Sequence, residues 1–388
     1  MDSDERFMWV ALDLARQGRG KTNPNPMVGA VIVKEGEIAG TGFHRKAGDR
    51  HAEIIALEEA GEKARGATMY VNLEPCSHYG RTPPCVDAII NAGIRKVVVA
   101  VVDPNPLVAG RGVRKLKEAG IKVKVGVLED KARRLNEVFF KYITTKTPFV
   151  IVKSAMTFDG KIATGGGKSR WITGEKSREF VHRLRSRADA IMVGINTVLK
   201  DDPLLTVRLP GGEKGRNPVR IIVDSRGKLP LNARVVTTIP EARTILATTE
   251  YAPADRLADL SAAGVEILEL PLKNNRVDLN VLMSELGKME ISMLMVEGGG
   301  NLNYSLLEEN LIDKVYFFIA PLLFGGKNAL TPFEGDGIPR VEDSWIINDV
   351  EMKQFENDLL LIGYPARREE IVYRDSGGIG GNIKSAAL

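Results

Sequence analysis

One histidine and two cysteines in the first quarter of the chain have the residue types of a catalytic zinc site. His51 stands in His51-Ala52-Glu53, and Cys76 and Cys85 follow within the next 35 residues. Three protein ligands leave the fourth tetrahedral position of zinc to water, whereas a structural site is closed by four ligands. Bound zinc lowers the pKa of its water from about 15.7 toward about 7, so hydroxide forms at neutral pH. We therefore expect one Zn²⁺ per chain, with Glu53 as the acid and base.

The order of these residues favours one class of zinc enzyme. His-x-Glu followed by Pro-Cys and a second Cys is the layout of zinc deaminases of nucleobases, in which the glutamate is not a ligand. Three alternatives stay open. The cysteines could be buried thiols or a disulfide, although a reducing cytoplasm disfavours a disulfide. A structural zinc site would need a fourth ligand, for which His44 and His78 are the nearby histidines.

Helices and strands that alternate along the first half must position these side chains. A helix is predicted from His51 to about residue 63, a strand over 67–73, and a helix that starts at Pro83-Pro84. Cys85 then lies in a first helical turn, where the helix dipole should stabilise its thiolate. Further predictions are a helix over 4–18, a strand over 28–34 and one long helix over 128–142. The alternation indicates a three-layer α/β domain over residues 1–145.

The second half is predicted to be another α/β domain, over residues 147–366. Apolar strands are expected at 149–154, 190–194, 220–224, 244–247, 265–269, 291–296 and 314–320, and helices at 175–186, 279–288 and 302–309. Turns are expected at 155–163 and at 196–199. Glu297-Gly298-Gly299-Gly300 joins a strand to a helix, and bare backbone N–H groups there suit an anion. The segment is not Gly-x-Gly-x-x-Gly, so a standard Rossmann motif is excluded.

Several motifs of the first half together resemble one enzyme family. They are Asn23-Pro24-Asn25-Pro26-Met27-Val28-Gly29-Ala30, Gly42-Phe43-His44, His51-Ala52-Glu53 and Glu74-Pro75-Cys76 with Pro84-Cys85. The set resembles the cytidine-deaminase-like domain of the bifunctional deaminase–reductases of riboflavin biosynthesis. The long loop between the two cysteines is similar to that of the riboflavin branch. The resemblance implies that Asn23 lies in the pyrimidine pocket, although a simple Asx turn stays open. His44 and His78 are candidate substrate contacts or solvated loop histidines.

The second half resembles the reductase part of the same family, which has a dihydrofolate-reductase-like fold. The motifs include Lys153-Ser154-Ala155, Ser169-Arg170-Trp171-Ile172, residues 194–197, residues 201–208 and residues 297–300. The resemblance implies NADPH as hydride donor. It places near the cofactor Ala155, Trp171, Thr197, Asp201, Ser225, Gly299 and Gly300, and near the substrate Ser169, Arg185, Leu205, Arg208 and Glu297.

Physical chemistry agrees with part of this assignment. The forked donors of Arg185 and Arg208 suit a sugar phosphate, although an exposed or paired arginine is the commoner case. Asp201 and Lys153 are the two candidates for moving the proton that accompanies hydride. Trp171 is either a wall of the cofactor site or a residue of the core.

Composition limits the remaining possibilities. The 388 residues exceed one typical core, and the net charge of +4 gives no sign of a nucleic-acid or membrane partner. The resemblance implies an enzyme that deaminates a diaminopyrimidinone carrying a ribosylamino phosphate and then reduces the ribosyl group to ribityl, and we expect it to be a cytoplasmic homo-oligomer. Residues 367–388 are expected to be a flexible tail. The alternatives are a zinc deaminase of RNA bases with a C-terminal binding module, and a non-enzymatic zinc-stabilised interaction protein. Aromatic residues make up only 6% of the chain, which speaks against the RNA-base alternative.

Overall fold

Two compact units make up the chain, Met1–Pro148 and Phe149–Leu388. The computed structural model describes residues 2–77, 83–105, 108–213 and 215–367. His78 and all of the predicted tail except its first residue lie outside the described residues. Within those ranges, every helix is too short or too polar to cross a membrane.

The N-terminal unit contains one five-stranded sheet with helices on both faces. Its helices are α1 (Ser3–Arg16), α2 (Ala52–Ala60), α3 (Cys85–Asn91), α4 (Arg111–Glu118), α5 (Glu129–Leu135) and α6 (Glu137–Thr145), and its strands are β1 (Gly29–Lys34), β2 (Glu37–Phe43), β3 (Thr68–Val71), β4 (Lys96–Val99) and β5 (Lys122–Val125). The strand order is β2-β1-β3-β4-β5, in which β3, β4 and β5 are parallel. This is the predicted three-layer α/β arrangement.

Alternate residues of β1 face different helix layers. Ala30 and Ile32 belong to the core under α2, α3 and α4, whereas Val31 and Val33 belong to the core under α1, α5 and α6. Helix α2 lies directly against β2, because a Cβ on Gly42 would come within 2.2 Å of a backbone oxygen of α2. The close packing fixes the N-terminal end of α2, which carries the predicted histidine ligand.

A buried asparagine divides the helix predicted over 128–142. The structure has two helices, α5 and α6, with Asn136 between them at φ −105°. The Asn136 amide accepts from the backbone N–H of Met27 at 2.8 Å and donates to its carbonyl at 2.9 Å. The prediction of one helix is wrong. The apolar periodicity continues across Asn136, but the side chain of Asn136 binds the backbone of a distant loop.

The C-terminal unit contains a nine-stranded sheet and a separate two-stranded hairpin. Its strands are β6 (Phe149–Thr157), β7 (Ala190–Gly194), β8 (Val219–Val223), β9 (Thr244–Thr248), β10 (Glu266–Glu269), β11 (Leu272–Lys273), β12 (Arg276–Val277), β13 (Met293–Val296), β14 (Lys314–Ala320), β15 (Trp345–Phe355) and β16 (Asp358–Arg367). Its helices are α7 (Glu175–Arg185), α8 (Ile195–Asp201), α9 (Arg234–Thr237), α10 (Ala254–Ala262), α11 (Leu279–Lys288) and α12 (Gly300–Glu308). The order is β10-β9-β8-β7-β13-β6-β14-β16-β15, and β11 and β12 form a separate hairpin.

The turn predicted over 155–163 begins only at Phe158, and the turn predicted at 196–199 is wrong. Strand β6 continues through Ala155 to Thr157, because these residues pair with the parallel strand β14. Helix α8 replaces the turn expected at 196–199 and follows β7 directly. The hairpin β15–β16, which adds two antiparallel strands at the edge of the sheet, has no counterpart among the sequence predictions.

Candidate active sites

Three potential zinc ligands converge in the N-terminal unit. The ligand atoms of His51, Cys76 and Cys85 all lie within 4.8 Å of one another, and Nδ1 of His51 is 3.1 Å from Sγ of Cys85 and 3.5 Å from Sγ of Cys76. Nitrogen and sulfur ligands of one tetrahedral zinc must be about 3.5 Å apart. The donor set therefore fits zinc. Among the described residues, no fourth histidine, cysteine or carboxylate joins this group.

Three different elements bring these side chains together. His51 is the N-cap residue of α2, Cys76 lies in the loop after β3, and Cys85 is the first residue of α3. The backbone N–H of Val86 donates to the carbonyl of Cys76 at 3.2 Å. The start of α3 is thus tied to the loop that carries the other cysteine.

The two thiols differ in acidity. The pKa of Cys76 is lowered to about 4, because the thiol of Cys85 donates to its sulfur, with further contributions from His51 and the backbone N–H of Cys85. The pKa of Cys85 is raised by the same shared proton and by burial. The backbone N–H of Cys85 is directed at the sulfur of Cys76, so the predicted stabilisation of the Cys85 thiolate by the helix start stays a prediction for the metal-bound state.

Glu53 is a buried carboxyl group beside the ligands. It lies in the first turn of α2 and is 3% exposed. Burial raises the pKa of Glu53 to about 7, and the nearby His51 limits the rise. A carboxyl group with a pKa near the working pH can both accept and donate a proton, as an acid and base catalyst must.

The loop that contains Asn23 lies next to the same ligands. Nε2 of His44 is 3.4 Å from the amide nitrogen of Asn25, and the ring of His44 meets that of His51 edge-on at 5.8 Å. Nδ1 of His44 faces the carbonyl of Arg50 at 3.1 Å. His44 is therefore a neighbour of the ligand set rather than a member. Asn23 is half-buried in this loop, and Asn25 is the residue that contacts His44.

A cavity of about 1060 Å³ lies in the C-terminal unit, where β7, β8 and β13 end. The C-terminal ends of parallel strands are the usual ligand-binding edge of such sheets. The predicted site residues that line it are Ser169, Thr197, Asp201, Ser225, Glu297, Gly299 and Gly300. A Cβ on Gly299 would meet nothing within 4 Å, whereas one on Gly300 would come within 2.6 Å of the Thr331 carbonyl. The open glycine turn at the start of α12 and the cavity's size fit a dinucleotide.

Glu297, which lines this cavity, belongs to a buried ion-pair cluster. Arg185 donates to the carboxylate of Glu297 through Nε at 2.5 Å and Nη2 at 2.9 Å. Nζ of Lys153 lies 3.5 Å from Oε2 of the same carboxylate. Burial alone would raise the pKa of Glu297, but Arg185 and Lys153 outweigh it and hold the pKa at about 2. Glu297 is therefore ionised throughout the physiological range.

A second arginine lies beside this cluster. Nη1 of Arg185 donates to the carbonyl of Thr206 at 3.2 Å, and Nη1 of Arg208 donates to the Thr206 hydroxyl at 3.3 Å. In the described part of the chain, Arg208 forms no ion pair. Burial and these two arginines lower the pKa of His182 to about 4. The excess positive charge suits a phosphate group.

The predicted site residues that do not line the cavity are Lys153, Ala155, Trp171, Arg185, Leu205 and Arg208. The ring of Trp171 is 68% exposed and lies 4.7 Å from the guanidinium of Arg178, so Trp171 is not a core residue. Leu205 is buried in the core formed with β7 and β8. Ala155 is part of β6.

Sequence reasoning missed two polar residues that bind the backbone at Met27 and Gly29, directly after the loop that contains Asn23. Asn72 accepts from the N–H of Gly29 at 2.7 Å and donates to the Met27 carbonyl at 3.0 Å, which Asn136 also binds. Asn72 directly follows an apolar strand, and a polar residue at that position could have indicated such a contact. Asn136 gave no signal, because its partner is 109 residues away.

Two known families match the chain in the order of its two units. The cytidine and deoxycytidylate deaminase zinc-binding region matches residues 1–101, and the RibD C-terminal domain matches residues 148–361. Riboflavin biosynthesis protein RibD of Aquifex aeolicus (strain VF5) is 49% identical over 359 residues, which are 92% of this chain and 97% of that protein. A solved structure of Acinetobacter baumannii RibD has a TM-score of 0.84 and 40% identity, over 94% of this chain and 99% of that chain.

A second solved structure names both activities. It is a diaminohydroxyphosphoribosylaminopyrimidine deaminase/5-amino-6-(5-phosphoribosylamino)uracil reductase of Thermotoga maritima, with a TM-score of 0.79 and 39% identity over 94% of this chain and 99% of that chain. The predicted cytidine-deaminase-like and dihydrofolate-reductase-like folds are confirmed. The matches support neither the RNA-base deaminase nor the interaction protein. The chain belongs to the RibD family of bifunctional deaminase–reductases of riboflavin biosynthesis.

Proposed function

We propose that the chain carries out two successive steps of riboflavin biosynthesis. The N-terminal unit removes an exocyclic amino group, as ammonia, from a diaminopyrimidinone that carries a ribosylamino phosphate. The C-terminal unit then reduces the ribosyl group of the product to ribityl with NADPH. The observation that carries the proposal is the convergence of His51, Cys76 and Cys85 beside the buried carboxyl group of Glu53.

In the deaminase unit, the chain supplies ligands and a proton carrier. Zinc, when bound by His51, Cys76 and Cys85, supplies a water of lowered pKa. Glu53 accepts a proton and delivers it to the departing ammonia, which its pKa of about 7 allows in both directions. Because Glu53 is buried, bulk water does not compete for that proton. Asn23 and the neighbouring loop hold the pyrimidine ring.

In the reductase unit, charge and shape orient the two reactants. NADPH, when bound, supplies the hydride. We assign cofactor contacts to the open turn at Gly299 and Gly300 and to Ala155, Trp171, Thr197, Asp201 and Ser225. We assign substrate contacts to Ser169, Arg185, Leu205, Arg208 and Glu297. The two neighbouring arginines bind the phosphate, and Leu205 contributes through its backbone because its side chain is buried.

Asp201 is the preferred group for the accompanying proton. Asp201 lines the cavity and accepts from the hydroxyl of Ser169 at 3.2 Å. Lys153, the other candidate, is directed at Glu297. We therefore assign Lys153 a mainly electrostatic role and Asp201 the proton transfer.

The domain assignment, location and assembly complete the proposal. We assign residues 1–145 to the deaminase and 147–366 to the reductase. Both cysteines are free thiols, which suits a reducing cytoplasm. The outer strand β15 exposes Val350 and Met352, which offer an apolar surface to a second copy. Light scattering of the purified chain tests the homo-oligomer.

One substitution tests the deaminase assignment. Glu53→Gln should keep zinc and abolish ammonia release, while NADPH oxidation with the deaminated intermediate stays at the wild-type rate. Glu58→Gln is the matched control, because Glu58 lies on the same helix but forms an exposed ion pair with Arg50. Ammonia release by the Glu53 variant at the wild-type rate would refute the assignment.

A further inference from the structure

The carboxylate of Glu74 binds three backbone N–H groups of a different segment. Its Oε2 accepts from Asp103 at 3.1 Å and from Gly110 at 2.9 Å, and its Oε1 accepts from Val113 at 3.0 Å. Glu74 is 3% exposed. Both of its oxygens thus accept from the backbone at Asp103, at Gly110 and at the start of α4.

These contacts cap α4 from outside the helix. The first N–H groups of a helix have no intrahelical partner, and an N-cap side chain normally satisfies one of them. The N-cap residue of α4 is Gly110, which has no side chain. Glu74 supplies the missing acceptor to Val113, the third residue of the helix, and its negative charge is favourable at a helix N-terminus.

The same helix lies directly on the backbone that carries a metal ligand. A Cβ on Gly112 would come within 2.2 Å of the carbonyl oxygen of Pro75 and 3.1 Å of Oε1 of Glu74. The backbone N–H of Glu74 also donates to the carbonyl of Val101 at 3.0 Å. Residues 74 and 75 are therefore held through both backbone and side chain, directly before Cys76.

We propose that Glu74 is a positioning residue that fixes the sulfur of Cys76 in the metal site by anchoring its loop to the start of α4. The inference rests on the metal site proposed above. The cysteine lies in a loop, and holding the backbone that precedes it restricts the distances of its sulfur from His51 and Cys85. Partners that orient a ligand in this way typically contribute about 10–100-fold to metal affinity.

The test compares zinc affinity with stability in two variants of the full chain. Glu74→Gln replaces one acceptor oxygen by an N–H₂ group that faces a backbone donor, so at least one of the three bonds is lost. We expect the zinc dissociation constant, measured by chelator competition, to rise about 10–100-fold. The absorption bands of the Co²⁺-substituted protein should also shift. Asp4→Asn is the control, because Asp4 is a buried carboxylate of the same unit that binds Tyr70, Lys96 and Lys124. It should lower Tm and leave zinc affinity within about twofold of wild type.

Each outcome decides between positioning and simple stabilisation. Unchanged zinc affinity in Glu74→Gln, or equal losses in both variants, would overturn the inference. If Glu74→Gln does not fold, hydrogen exchange in the wild type replaces it. Because coupling is reciprocal, zinc removal should speed exchange of the Gly110 and Val113 amides at least tenfold more than that of Thr41, whose N–H is held by Glu59. Equal increases in the exchange rates of Gly110, Val113 and Thr41 would also overturn the inference. A wild-type chain that binds no zinc would refute the proposed metal site itself, and the inference with it.

Discussion

The backbone N–H of Cys85 donates to the sulfur of Cys76 at 3.3 Å. The pKa of Cys76 falls to about 4, mainly because the thiol of Cys85 donates to its sulfur, with smaller contributions from His51 and from this N–H, while the pKa of Cys85 rises. The two cysteines, which we propose as zinc ligands, are therefore chemically unequal before any metal binds.

This inequality predicts selective alkylation. In zinc-free protein at about pH 6, iodoacetamide should modify Cys76 at least tenfold faster than Cys85, because only the thiolate reacts. The chain has two cysteines, so peptide mass spectrometry assigns each product without ambiguity. Zinc-loaded protein is the control, and both thiols should be protected there. Faster modification of Cys85 would show that the order of the two pKa values is reversed.

The buried ion pair between Arg185 and Glu297 should contribute more to stability than an exposed pair of the same geometry. Glu297→Gln leaves the buried Arg185 and Lys153 without their carboxylate, and should lower the free energy of unfolding by about 3–5 kcal/mol in urea denaturation. Glu266→Gln is matched to it, because Glu266 also binds an arginine, Arg243, at two points but on the surface. Glu266→Gln should lower the free energy of unfolding by less than about 1 kcal/mol. Equal losses would contradict the burial argument.

Asp4 should make the stability of the N-terminal unit depend on pH. Burial opposes its ionisation, but Lys124, Lys96 and Tyr70 outweigh burial and lower the pKa of Asp4. A lowered folded pKa stabilises the fold above the unfolded value of about 3.9, and the contribution is lost as the pH falls through the folded value. Asp4→Asn should thus lower the free energy of unfolding by about 1–3 kcal/mol at pH 7, and by less below about pH 4. Asp13→Asn, an exposed position on the same helix, should change stability by under about 0.5 kcal/mol at either pH.

Asp201 should be required for hydride transfer rather than for binding. Asp201→Asn should lower kcat for NADPH oxidation by about 10²–10⁴-fold, the usual contribution of a positioned acid or base. The neighbouring Asp202 accepts from the backbone N–H of Arg234 and does not line the cavity, so Asp202→Asn should leave kcat within about threefold of wild type. Lys153→Met should act mainly on KM. A large kcat loss in the Lys153 variant alone would transfer the proton role to that lysine.

Short-range patterns predicted much of the fold and of the metal site. Apolar runs and helical periodicity indicated the strand over 28–34 and the helix that begins near His51, and His51-Ala52-Glu53 with two cysteines indicated zinc. The residues that support the site could not be predicted in the same way. Glu74 was recognised only as part of a motif, because its partners lie 29 to 39 positions further along the chain. Asn136 interrupts a helix because its side chain binds a loop more than a hundred residues earlier in the chain.

The most direct test of the account is zinc K-edge X-ray absorption together with metal content of the purified chain. We predict one zinc per chain, with two sulfur ligands at about 2.3 Å and nitrogen and oxygen ligands at about 2.0–2.1 Å. The oxygen should come from water beside Glu53, and the signal should disappear when Cys76 and Cys85 are both replaced by serine. A shell of four protein ligands, or zinc that persists without both cysteines, would contradict the open site at His51, Cys76 and Cys85.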